Sequence, residues 1–144
     1  MTAQETNVGC CTPQTQTASC ECECSSSPAL LFPCSGGSDV GALSDQAARQ
    51  MTAAGIGKMY CLAGIGGRVS GILASTRSAG KILAIDGCPL NCAKATLEQA
   101  GITTFKHMNL KEIGMIKGQS PVTEERLTRI SNEARSLLQE RRDT

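Results

Sequence analysis

The stretch Lys81-Ile82-Leu83-Ala84-Ile85-Asp86-Gly87-Cys88-Pro89-Leu90-Asn91-Cys92-Ala93-Lys94-Ala95-Thr96-Leu97-Glu98-Gln99-Ala100-Gly101 decides the fold. An unbroken aliphatic run of strand length ends in an Asp-Gly turn, and Pro89 sits where a first helical position is expected. Leu90, Ala93, Leu97 and Ala100 then recur at helical spacing, and Gly101 stops the run. A strand that is apolar at every position is buried on both faces, and a helix that follows it directly reads as half of a βαβ unit.

The same order recurs on the N-terminal side. Ala29-Leu30-Leu31-Phe32 precedes the turn-rich Pro33-Cys34-Ser35-Gly36-Gly37, and Ser38 or Asp39 can cap a helix in which Val40, Leu43, Ala47, Met51 and Ala54 share a face before Gly55. Lys58-Met59-Tyr60-Cys61-Leu62 is the next strand candidate, followed by Gly64-Ile65-Gly66-Gly67 and a helix carrying Val69, Ile72 and Leu73 up to Gly80. On the C-terminal side a fourth strand is expected over Thr104 to Met108. After it comes a helix capped at Thr123, with a Val122–Leu127 staple and an apolar stripe of Leu127, Ile130, Ala134, Leu137 and Leu138. The pattern predicts a small three-layer α/β domain, Rossmann-like or flavodoxin-like, with a mainly parallel sheet of about four strands.

Composition sets the frame. The chain has 144 residues, of which 40% are hydrophobic, enough for one core. Lys plus Arg number 14 against 13 acidic residues, with no Trp, one Tyr and two Phe. That leaves neither the basic field nor the aromatic platforms of a nucleic-acid binder. No stretch approaches the ~18 apolar residues of a membrane span, and the N-terminus lacks a signal-peptide pattern, so a soluble, cytoplasmic protein is expected. In that reducing compartment nine cysteines read as metal or redox ligands and not as a disulfide framework. Residues 1–27 are polar and hold five of them, Cys10, Cys11, Cys20, Cys22 and Cys24. This segment is expected to be a disordered cysteine-rich tail preceding a domain over residues 28–144. Its thiols are a possible secondary site for a thiophilic ion.

The other four, Cys34, Cys61, Cys88 and Cys92, each follow a predicted strand or lie in the helical turn after it. Strand ends of an open α/β sheet gather along one edge, so four thiolates can converge there on a metal ion. If Pro89 opens its helix, Cys88 lies near the N-cap and Cys92 one turn along, where the helix dipole favours the thiolate a metal needs. A Zn²⁺ held by four thiolates carries a formal charge of about −2, which helix N-termini and Arg68 or Lys94 would offset. Cys34 and Cys61 can also be read as small buried hydrophobes.

The segments Phe32-Pro33-Cys34-Ser35-Gly36, Tyr60-Cys61-Leu62-Ala63-Gly64-Ile65-Gly66-Gly67 and Ile85-Asp86-Gly87-Cys88-Pro89-Leu90-Asn91-Cys92 resemble the DGC-domain family of zinc-binding proteins, named for the motif found here at Asp86-Gly87-Cys88. The resemblance spans residues 29–140 and implies Cys34, Cys61, Cys88 and Cys92 as ligands, with Zn²⁺ as cofactor and metal ion as partner. It leaves the tail outside.

Other chemistry is possible with the same thiols. An iron–sulfur cluster also takes four thiolates, although the C-x2-C-x2-C run is absent. A thiol or persulfide transferase would use Cys88 with Cys92 resolving, at a C-x3-C spacing where redox motifs have C-x2-C. Cys61 to Arg68 is one residue too long for a phosphatase loop, and Val69 stands where G-x-G-x-x-G needs its last glycine. His107, the single histidine, reads as packed or surface-exposed, and Asp86 as turn chemistry. With no Ser-His-Asp order and no paired carboxylates, a non-enzymatic metal-binding protein acting in metal sensing, handling or scaffold binding is the favoured reading.

Overall fold

Leu30, Leu31 and Phe32 are buried along the first strand, β1 (Leu30–Pro33), and all five positions of β3 (Ile82–Asp86) are buried as well. These are the two central strands of a parallel sheet whose order is β2-β1-β3-β4, with β2 at Lys58–Met59 and β4 at Lys106–Asn109. The computed structural model describes residues 27–140. The cysteine-bearing tail lies outside that range except for Ser27.

Side chains alternate across the sheet, and the two faces collect different helices. Leu31, Leu83, Ile85 and Met108 pack with Val40, Leu43, Ala47 and Met51 of α1 (Asp39–Ala53) and with Leu127, Ile130, Ala134 and Leu138 of α5 (Glu124–Gln139). Leu30, Phe32, Ile82 and Ala84 pack on the other side with Ile65 of α2 (Leu62–Gly66), Leu73 of α3 (Ser70–Arg77) and Ala93 and Leu97 of α4 (Cys92–Gln99). The result is the expected three-layer α/β domain, in the flavodoxin-type order without a fifth strand among the described residues. Right-handed crossovers explain the division: the chain moves outward from β1 to β2, then reverses to β3, which sends the intervening helices to the opposite face. The reversal point lies between β1 and β3, where an open sheet parts its loops.

The caps follow the sequence at several places. Ser38 caps α1 by accepting the Gly41 N–H, and Thr123 caps α5 by accepting that of Arg126. Val122 is partly buried against the cluster that contains Leu127, as the staple requires. Gly55 follows α1 at φ +69, a left-handed stop that favours glycine. The second unit differs from the expected strand over 58–62: β2 ends at Met59, and Cys61 already caps a helix of five residues. Arg68, at φ +58, then separates α2 from α3.

Candidate functional site

Cys34 continues the β1 ladder by donating its N–H to the Ile85 carbonyl, 3.0 Å away, which puts it at the reversal point. Its Sγ accepts the Gly87 N–H at 3.3 Å and lies 3.4 Å from the hydroxyl of Ser44, a fully buried residue of α1. The first turn of α1 must therefore press onto both neighbouring loops, and glycines make this possible. A Cβ at Gly87 would lie 2.6 Å from the Val40 carbonyl oxygen, and one at Gly41 2.2 Å from that of Gly36. Ser35 takes a left-handed φ of 44 and donates to Asp45. Arg49, and to a lesser degree Ser35, hold the Asp45 carboxyl below its ordinary range by hydrogen bonding to it.

Cys61 is exposed, and its Sγ caps α2 by accepting the Gly64 N–H at 3.3 Å. Cys88 is half-buried against the α1/α5 side of the core. Cys92 is exposed and is the first residue of α4. Pro89 is thus not the first helical residue. Asn91 takes the N-cap position at φ 51, in the left-handed region, and the helix starts after it. A contact distant in sequence causes the shift. The buried Asn109 of β4 donates Nδ2 both to the Cys88 carbonyl, at 2.9 Å, and to Asn91 Oδ1, at 2.7 Å. Cys88 therefore lies outside the helix, and only Cys92 is in its first turn.

The group that meets the α4 N-terminus is the Asp86 carboxylate. Only 1% exposed, it accepts the N–H groups of Ala93 at 2.8 Å and Lys94 at 3.1 Å, and it pairs with His107 Nε2 at 3.0 Å. Strand register places this pair: Ala84 lies opposite His107 and Asp86 opposite Asn109, so all four share a face. Sequence reading missed this role because alternation shows which residues share a face only once the β3/β4 register is known. Arg68 does not offset charge at this edge; its guanidinium donates to the Gln99 carbonyl at the far end of α4.

Cys34, Cys61, Cys88 and Cys92 are all free thiols and all lie at the C-terminal edge of the sheet. They are not a preformed cage: among the described residues no three His, Cys, Asp or Glu side chains form a group that could hold a metal ion. Cys10, Cys11, Cys20, Cys22 and Cys24 lie outside the described residues. At the opposite edge a cavity of about 400 Å³ is lined by Ile82, Phe105 and Leu138 among others, and by no thiol. Among the described residues no helix is long and apolar enough to cross a membrane.

The DGC-domain family profile matches residues 30–134. The chain is also 39% identical over 88 residues to the anaerobic and virulence modulator AnvM of Pseudomonas aeruginosa, a match covering 61% of this chain and 67% of AnvM. No solved structure matches the chain significantly.

Proposed function

The chain belongs to the DGC-domain family, and from that premise we propose that it is a zinc-binding protein acting in metal sensing, handling or scaffold binding. The observation that carries this reading is the placement of four free thiols at the ends of three neighbouring parallel strands and the start of α4. Four thiolates are a donor set that suits Zn²⁺ in type and number. Among the described residues the four thiols are not grouped closely enough to hold a metal, so binding requires side chains to re-aim. Cys34 is held by Ser44 and Gly87, whereas Cys61 and Cys92 are exposed and have room to turn. Bound zinc would cross-link three loops that the sheet alone leaves separate, making fold and metal occupancy interdependent. The likeness to a protein named as a modulator supports a regulatory role over a catalytic one. The tail thiols would serve as a second set of soft donors.

Elemental analysis and an ultraviolet–visible spectrum of anaerobically purified chain, with and without residues 1–27, test the reading. Stoichiometric zinc, no visible band and retention after tail removal are expected. Iron with matching sulfide and a visible charge-transfer band would replace zinc with a cluster. The exposure of Cys61 and Cys92 favours one further reading, in which the thiols react directly: the Cys88 thiolate attacks a persulfide or disulfide donor, whose thiolate leaves, and Cys92 resolves the product by forming a Cys88–Cys92 disulfide and expelling sulfide or the donor thiol. Alkylation separates the two: a metal site protects all four thiols together until a chelator is added, whereas a reactive thiol is modified early in the native protein.

A further inference from the structure

Between the Cys88–Asn91 turn and the end of β4 lies a cavity of about 470 Å³, within the size range of small-molecule sites and lined by no thiol. Asn91, Lys94, His107, Asn109, Lys111 and Glu112 form its polar walls. What each offers to a ligand follows from the partner it already has. Asn109 has no donor left for a ligand, since Nδ2 holds Asn91 and the Cys88 carbonyl while Oδ1 accepts the Lys111 N–H at 3.0 Å. Because the Asn91 side-chain oxygen takes one of those bonds, its free end is the NH₂ donor. The Asp86 carboxylate accepts two backbone N–H groups and pairs with His107 Nε2, which leaves Nδ1 as the ring nitrogen outside that pair. The ammonium groups of Lys94, half-buried, and Lys111, exposed, have no hydrogen-bond or ion-pair partner among the described residues.

Two unpaired ammonium groups and a carboxamide NH₂ on one concave wall form a site for an anion. The α4 dipole is not its source, because Asp86 already occupies the helix amides. We infer that this cavity binds the oxyanion group, phosphate or carboxylate, of a small polar molecule, held by Lys94, Lys111 and the Asn91 NH₂, with Glu112 accepting from a donor group elsewhere on it and His107 lining the same wall. The inference is independent of the metal reading. The two sites share only the turn that Asn109 fixes, so an occupant would rest against the loop carrying Cys88 and Cys92.

The test is a titration of the ¹⁵N-labelled full chain with inorganic phosphate and, separately, acetate, at constant ionic strength. Saturable shifts centred on Lys94, Asn109 and Lys111, with a Kd of about 1 mM or tighter for at least one probe, are expected. The preferred probe tells a phosphoryl from a carboxylate ligand. Lys94→Gln with Lys111→Gln should weaken binding about tenfold or more, while Lys94→Arg with Lys111→Arg and the remote Lys58→Gln should keep it. Shifts that never saturate for either probe, that centre elsewhere, or that persist unchanged in the glutamine pair overturn the inference. Should the glutamine pair lose its dispersed spectrum, the wild-type titration and the arginine pair decide.

Discussion

A methyl group added at Gly87 would sit 2.6 Å from the Val40 carbonyl oxygen, 2.7 Å from its carbon and 3.1 Å from the Gly41 nitrogen. All three are backbone atoms in the first turn of α1, so no side chain can swing away and the helix itself must move. Gly87→Ala should therefore destabilise the domain by about 1–3 kcal/mol, the usual cost of overpacking. Denaturant melts check this against Gly36→Ala, where the added Cβ meets nothing within 4 Å and the change should be near neutral. Equal effects would mean that the approach of α1 is not what Gly87 serves. The motif Asp86-Gly87-Cys88 was conspicuous in the sequence, yet the separate jobs of its residues were not. Gly87 admits a helix and donates to the Cys34 sulfur, while Asp86 caps another helix and binds His107. Locally, Asp86 has the setting of a turn residue and His107 that of a packed or exposed strand histidine. Their pairing depends on the β3/β4 register, and register is a property of two strands.

Elements governed by local chemistry were the ones legible in the sequence. β1 and β3 are apolar runs because both of their faces are covered, and α1 and α5 carry apolar stripes at three- and four-residue spacing between recognisable caps. The segment from Tyr60 to Arg77 was legible only in part. Tyr60-Cys61-Leu62 has the composition of a strand, but the Cys61 sulfur accepts the Gly64 N–H and starts a helix there. The break between α2 and α3 falls on Arg68, a bulky residue in a conformation that favours glycine. Its guanidinium donates to the Gln99 carbonyl at 2.8 Å in an exposed setting, a bond that glycine could not make. Left-handed backbone costs a non-glycine residue about 1–2 kcal/mol. Glycine relieves that cost but forfeits the bond and adds entropy to the unfolded chain, each about 0.5–1 kcal/mol. Alanine forfeits the bond and keeps the strain. Arg68→Gly should consequently be more stable than Arg68→Ala by about 1 kcal/mol, as read by thermal or denaturant melts. The reverse order would show that the joint between α2 and α3 is held by something other than its backbone conformation.

At the scale of the molecule, the order of the strands leaves α1 and α5 together on one face although the sequence between them visits every other element but β1. Asp39, at the start of α1, ties down the connection that leads into α5: Oδ1 accepts the Gly118 N–H at 2.9 Å and Oδ2 that of Ser120 at 2.8 Å. These two bonds, Gly118 first, hold its carboxyl below the ordinary value of 3.8. A carboxylate depressed in the folded state contributes stability above its unfolded pKa and loses it as pH falls through the lower folded value. Asp39→Asn keeps the size of the side chain but replaces one acceptor by an NH₂ that faces a backbone donor. The wild type should accordingly exceed this variant most at neutral pH, with the gap narrowing once pH drops below 3.8 and closing when the folded carboxyl is protonated. Asp45, depressed chiefly by Arg49, titrates equally in both proteins and cancels from the difference. Urea melts of the pair across acid pH measure the gap directly. A gap that stays constant through the acid range would assign Asp39 a role in geometry alone, and one that closes would make its charge the link between the entry to α5 and the first turn of α1.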